Sequence, residues 1–244
     1  PKEIAVRVNN PAFTIGGAAK GSGMIHPDLA TLLCFLTTDA AVETDFLRTL
    51  LNKAADASFN MVSIDGDTSP NDMVVIMANG LAGNEPIKAS SEAAEVFQQA
   101  LEQVCIHLAK RIARDGEGAT KLIEVTVNSA VSLDEARRAA RTVVNSPLVK
   151  AAVHGNDPNW GRIIAAAGRS GAELVESKTD LYLGDICLLK TGNPQPYDES
   201  AAVECLKKDE VVINVNLNLG TATATAWGCD LSEEYVTINS EYTT

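Results

Sequence analysis

Apolar and polar positions alternate with a period of two at the start of the chain, where KEIAVRV places Ile4, Val6 and Val8 on one face, the signature of a half-covered strand. A second short strand is predicted over Phe13 to Ile15, then a glycine-rich turn, GGAAKGSG, then an apolar run from Leu32 to Leu36 that reads as a strand buried on both sides. Helical spacing takes over from about Glu43 to Ala55, with Phe46, Leu47, Leu50, Leu51 and Ala54 recurring on one side. Strands are predicted at Asn60 to Ile64 and Met73 to Ala78, joined by the polar hairpin turn GDTSPND.

The longest amphipathic pattern runs from Ser91 to Arg114 and carries Val96, Phe97, Leu101, Val104, Leu108 and Ile112 as its stripe. A strand from Lys121 to Val127 follows. Ser132-Leu133-Asp134-Glu135 then forms a capping box that opens a helix to about Asn145. HGNDPNWGR reads as a turn into a helix from Asn159 to Gly168, with Trp160 as its packing anchor. Strands are predicted at Asp180 to Leu189, Val211 to Leu217, Thr221 to Cys229 and Tyr235 to Asn239, with a short helix near Glu199 to Lys207. Strands and helices mix without strict βαβ alternation, so the expected class is α/β (α+β), a layered sandwich with mixed or antiparallel sheets rather than a doubly wound parallel sheet.

Charge narrows the partners. Twenty basic against 32 acidic residues, a net charge of −12, leaves no basic stripe with which to neutralise phosphates, so nucleic acid is excluded as a partner. Five scattered cysteines without a CxxC pair read as reduced, mostly core thiols, and three dispersed histidines form no zinc pattern. No segment reaches the roughly 18 to 20 consecutive apolar residues of a membrane span, and no Asn-X-Ser/Thr sequon occurs. The expected setting is the cytoplasm, or the mitochondrial matrix in a eukaryote. Pro1 opens directly on a strand, as expected of a piece of something longer.

Candidate chemistry is sparse. GGAAKGSG has Lys20 before Gly21, whereas a phosphate loop needs Gly-Lys-Ser/Thr in that order; DGDTSPND puts Pro70 where a calcium loop needs glycine. The Ala30-Thr31 junction offers more. A threonine freed at its amine carries a built-in base, with a pKa of about 7.7 to 8.0, beside its own hydroxyl, and a strand beginning there would give it a rigid seat.

Four segments, GGAAKGSGMIHPDLATLLCFLTTDA, DGEGATK, HGNDPNWGRI and CDLSEEYVTINSEY, together resemble the bifunctional ornithine acetyltransferase/N-acetylglutamate synthase family, in the same order and over the whole chain. That resemblance implies a fold similar to the aminopeptidase/ornithine acetyltransferase class, and self-cleavage between Ala30 and Thr31. Residues 1–30 would then be the C-terminal end of an α subunit, and 31–244 a β subunit forming one compact unit with the α part. It implies Thr31 as the nucleophile and Lys20, Thr31, Glu117, Asn239 and the last residue, Thr244, as substrate contacts. The chain departs mildly from the family pattern, with HPDLATLL where members often read HPNMATML, and YTT where they often end YRT.

The implied reaction is a ping-pong transfer of acetyl from N2-acetylornithine to glutamate through an ester on Thr31. It needs no cofactor, although acetyl-CoA is a conceivable second donor, and no metal. The family's Thr-Gly oxyanion pair has no counterpart in these residues, so an isolated copy of this chain is expected to be inactive, and the working form to be an oligomer of αβ units. Lys20 and Glu117 are the natural fixed cation and anion for an amino-acid substrate; without the resemblance they read as a surface lysine and a helix-end acid. Thr31 is expected to line a cleft with Lys20, Glu117 and the segment around Asn239. Two alternatives stand beside this: a self-processing aminopeptidase or amidase that releases the acyl group to water, and a non-catalytic paralogue acting as a binding module.

Overall fold

The computed structural model describes residues 2–26 and 32–241. Contacts divide the chain into two compact units, Pro1–Val62 with Asp67–Ile112, and Ser63–Gly66 with Ala113–Thr244.

The first unit opens with β1 (Lys2–Asn9), β2 (Ala12–Lys20) and β3 (Leu33–Thr38), then α1 (Thr44–Ala57). After a 3-10 turn the chain passes through β4 (Val62–Ser63) to the second unit and returns for β5 (Met73–Ala78) and most of α2 (Ala93–Arg114). The four-stranded sheet has the order β1-β2-β3-β5; its first two pairings are antiparallel and the β3/β5 pairing is parallel. Phe13, Ile15, Cys34 and Leu36 are buried on one face, as are Phe97, Leu101, Val104, Cys105 and Leu108 of α2. The Phe13 and Phe97 ring centroids lie 5.4 Å apart.

Three expectations are corrected here. Gly16 and Gly17 are not part of a turn but lie inside β2, because a β-carbon on Gly17 would collide with the Leu36 and Leu108 side chains that fill that space. The run from Leu32 is not buried on both sides: β3 alternates, and Phe35 stays 45% exposed beside Met73 and Met77 on the strands' other face. GDTSPND does not close a hairpin either, since β4 and β5 belong to different sheets.

In the second unit, β6 (Leu122–Ala130) is followed by α3 (Leu133–Val144), α4 (Pro147–His154) and α5 (Trp160–Gly168). Then come β7 (Asp180–Leu183), β8 (Ile186–Lys190), β9 (Asn193–Pro194), α6 (Glu199–Leu206), β10 (Glu210–Asn216), β11 (Ala222–Cys229) and α7 (Glu233–Glu241). Their seven-stranded sheet has the order β4-β11-β6-β10-β7-β8-β9, with β6 and β10 parallel and β6 and β11 antiparallel. The mixed-sheet expectation holds in both units. The predicted strand from Asp180 to Leu189 is a hairpin, β7 and β8, bent at Gly184, whose φ of +56° suits glycine.

Helix α3 lays Ala136, Ala139, Ala140, Val143 and Val144 against β6 and β11, and Gly228 lets it come close: a β-carbon there would lie 2.9 Å from Val144. Only half of the capping box forms. Ser132 Oγ accepts from Glu135 N at 3.3 Å, but the Glu135 carboxylate accepts instead from Glu173 N at 2.8 Å. Helix α4 was not expected. Its signal was Ser146-Pro147, an N-cap residue followed by proline at the first helical position.

The largest correction concerns Tyr235 to Asn239, predicted as a strand and found within α7. Glu233 and Glu234 occupy its first turn, where carboxylates meet the positive end of the helix dipole, and Asn239 Nδ2 returns to Tyr235 O at 3.0 Å.

Candidate functional site

In the first unit, three strand ends converge. Lys20 closes β2 opposite Leu33, which opens β3, and Leu33 pairs with Met73, which opens β5. Ala30 and Thr31 lie outside the described residues, but Leu32, next in the chain, is 3% exposed and clamped on both sides. Its N–H donates to Asp72 Oδ1 at 2.9 Å, and its carbonyl accepts from Met73 N at 3.1 Å. Burial pushes the Asp72 carboxyl up from its ordinary value, opposed by the Leu32 N–H and by the positive charge of Lys20. Asp72 Oδ2 is buried and has no hydrogen-bond partner among the described residues. A cavity of about 340 Å³ adjoins, lined by residues including His26, Leu32, Asn52, Asp56 and Asp72.

In the second unit the fold brings two predicted contacts together. Glu117 Oε2 accepts from Asn239 Nδ2 at 3.0 Å across 122 positions. Glycine makes this approach possible: Gly118 has φ of +68°, and a β-carbon on it would lie 2.5 Å from Tyr235 N and 2.8 Å from Ser232 Oγ. Ser232 Oγ also donates to Gly118 O at 2.6 Å, fastening the loop to the start of α7. Gly118→Ala is therefore expected to push α7 away from the loop and to lower Tm by several degrees. A melting curve checks it; a wild-type Tm would mean the loop tolerates the side chain.

Asp230, 2% exposed, organises what lies behind Glu117. Its carboxylate accepts from Thr120 N at 2.8 Å, Thr120 Oγ1 at 2.5 Å and Lys121 N at 2.8 Å, and lies 2.7 Å from His154 Nδ1. Burial would raise its pKa, but these hydrogen bonds outweigh burial and hold it below the usual carboxylate value. Lys121 Nζ donates to Val153 O and Asn156 Oδ1, both at 2.7 Å, tying the strand start to the end of α4. Lys150, 3% exposed, donates to the Cys229 carbonyl, and burial lowers its pKa.

Sequence reasoning passed over Asp72, Asp230, His154 and Lys150. His154, in the turn that HGNDPNWGR predicts, instead ends α4, with its Nδ1 2.7 Å from Asp230 Oδ2. Trp160 is only partly buried and borders an open surface depression rather than anchoring a core. Thr244 lies outside the described residues. The five cysteines are free, and burial lifts the Cys34 thiol to about 12, the behaviour of an inert core thiol. Among the described residues there is no cluster of three or more His, Cys, Asp or Glu side chains able to hold a metal ion, and no helix long and apolar enough to cross a membrane.

Two mixed sheets with helices, a charged strand-end cluster in one unit and a carboxylate–amide pair in the other define an α/β protein with sites suited to small charged groups. The chain belongs to the ArgJ family, whose sequence profile matches residues 1–244. It is similar to the arginine biosynthesis bifunctional protein ArgJ of Symbiobacterium thermophilum, at 55% identity over 246 residues, covering 100% of this chain and 61% of that protein. The Dehalococcoides mccartyi ArgJ is 56% identical over 245 residues, covering 100% and 60%. The crystal structure of ArgJ from Bacillus halodurans matches with a TM-score of 0.82 at 47% identity, covering 84% of this chain and 97% of that one. The chain thus spans about 60% of the length of the curated relatives it matches.

Proposed function

We propose that this chain is part of a self-cleaving acyltransferase of arginine biosynthesis, a glutamate N-acetyltransferase that moves acetyl from N2-acetylornithine to glutamate. The observation that carries the reading is the Glu117–Asn239 hydrogen bond: two residues read separately as substrate contacts, 122 positions apart, meet at 3.0 Å. The relatives' names, bifunctional proteins of arginine biosynthesis, support an amino-acid substrate. Cleavage before Thr31 would separate residues 1–30 covalently from the rest of the chain. That segment would stay with the rest after cleavage, because β1 and β2 share a sheet with β3.

In the proposed reaction, Thr31 Oγ attacks the acetyl carbonyl carbon while the Thr31 α-amine takes the hydroxyl proton. The C–N bond breaks, ornithine leaves with that proton, and an acetyl ester remains on Thr31. The glutamate amine then attacks the ester, and Oγ regains its proton as N-acetylglutamate departs. Such a base contributes about 10²- to 10⁴-fold, and each oxyanion donor about 10²- to 10³-fold, so the upstream Thr-Gly pair weighs as much as the amine. Lys20 supplies the cation for a substrate carboxylate, and Glu117, held by Asn239, the anion for an ammonium; Thr244 completes the contacts. No cofactor takes part, acetyl-CoA being an alternative donor, and αβ units assemble in the cytoplasm, or in the matrix of a eukaryote's mitochondria.

Trapping tests the reading. Full-length protein given acetylornithine alone is expected to gain one acetyl group on the fragment beginning at Thr31 and to lose it on addition of glutamate. Discharge by water at the same rate without glutamate would instead support the amidase reading. Glu117→Gln is expected to lower kcat/KM for acetylornithine about 10- to 100-fold with little change in Tm, because a pocket charge is removed and no core packing is lost. Unchanged kinetics would return Glu117 to a helix-end acid.

A further inference from the structure

We infer that His154 is a pH-dependent positioning residue: while its ring is charged it bridges buried Asp230 and the Glu233 carboxylate in the first turn of α7, holding the helix that carries Asn239 against the loop of Glu117. Its effect on turnover rests on the reading above, which makes Glu117 and Asn239 substrate contacts. Ring Nδ1 lies 2.7 Å from Asp230 Oδ2, and Nε2 lies 3.4 Å from Glu233 Oε2. A neutral imidazole has one N–H and one lone pair and serves only one of two acceptors; the imidazolium donates to both. Asp230 keeps the Nδ1–H, because donors from Thr120 N, Thr120 Oγ1 and Lys121 N hold the carboxyl in its ionised form. The proton lost as pH rises is therefore the one on Nε2, which leaves Glu233 facing a lone pair.

The two carboxylates belong to the two sides of the Glu117–Asn239 pair. Asp230 anchors Thr120 and Lys121, just after Glu117, while Glu233 opens the helix whose Asn239 Nδ2 donates to Glu117 Oε2 at 3.0 Å. Every residue in this linkage lies in the second unit. Two cations stand near the ring's own helix: Lys121 Nζ donates to the His154 carbonyl at 3.4 Å, and Lys150, one turn earlier in α4, to the Cys229 carbonyl. Arg162 of α5 and Arg138 of α3, the helices packed on α4, pair instead with Asp157 and Asp134. Histidine exchanges its charge between about pH 5 and 8, a range across which Asp230 stays ionised, so the bridge is present on the acid side and is lost as pH rises. Because the Glu233 side chain is 93% exposed, its half of the bridge is a weak tie, and the expected effect is a few-fold.

The experiment uses the full-length protein, wild type, Glu233→Gln and His154→Gln, at about pH 6 and about pH 9. Hydrogen exchange across residues 233–241, read by mass and normalised to the intrinsic rate at each pH, reports on α7; the KM for acetylornithine reports on the site. Wild type is expected to exchange more slowly and to show a lower KM than Glu233→Gln at the acid pH, by about two- to fivefold in each, and to match it at the alkaline pH. His154→Gln, with no charge to gain, should lose the same acid-side advantage. Glu233→Gln alters an exposed carboxylate and keeps the test open should His154→Gln not fold. Loss of a helix-end charge alone would act equally at both pH values. Exchange that is the same in wild type and Glu233→Gln, or that differs equally at both pH values, overturns the bridge. Exchange that follows the bridge while KM does not move overturns instead the reading of Glu117 and Asn239 as substrate contacts.

Discussion

Thr31→Ala is expected to leave the full-length protein uncut and to lower acetyl transfer by at least about 10⁴-fold, with the fold's melting temperature little changed. One hydroxyl is proposed for both steps, attack on its own preceding carbonyl and attack on the acetyl group, so a single deletion removes both. Thr31→Ser should keep part of each, because the hydroxyl remains while the methyl that restricts its rotamer is lost. Intact mass reads the cleavage and a coupled assay for ornithine release reads the transfer. An uncut alanine variant that still transfers at the wild-type rate would separate the two activities and place the nucleophile elsewhere. Leu32, next in the chain, is held by Asp72 on one side and by Met73 on the other.

Much of the scaffold was legible in the sequence because its periodicities are local. KEIAVRV alternates and is β1, and the stripe from Val96 to Ile112 is α2. Errors arose where two periods fit one segment or where packing overrode a propensity. YVTIN alternates like a strand and is rich in β-branched residues, yet Glu233-Glu234 ahead of it favoured the helix that forms. Gly16-Gly17 resembled a turn because a collision with Leu36 and Leu108, which makes glycine necessary inside β2, joins residues far apart in sequence. For the same reason Asp72 and Asp230 carried no readable motif: their partners are backbone amides 40 and about 110 positions away. Glu117 and Asn239 were reached through family resemblance, and no spacing rule could have joined them.

Asp230→Ala is expected to be the most destabilising substitution among the residues discussed, costing about 3 to 5 kcal/mol in the full-length protein. The deleted carboxylate accepts from Thr120 N, Thr120 Oγ1 and Lys121 N and meets His154 Nδ1. Each buried donor left unpaired costs about 1 to 3 kcal/mol, and the loop from Glu117 to Thr120 loses its anchor to the start of α7. Asp230→Asn should lose less, since its remaining oxygen can still accept while its amide faces a donor. The folded-state pKa of Asp230 lies below its ordinary value. The carboxylate's contribution is therefore complete above the unfolded pKa of about 3.9 and disappears as pH falls through the lower folded value. Urea unfolding at pH 7 and across pH 5 to 2 measures both. The parent should lose stability steeply below about pH 4, the variants less steeply from a lower start. An alanine variant within about 0.5 kcal/mol of the parent at pH 7 would mean that the Asp230 bonds add no net stability and that the Glu117 loop is held by Ser232 and Gly118 alone.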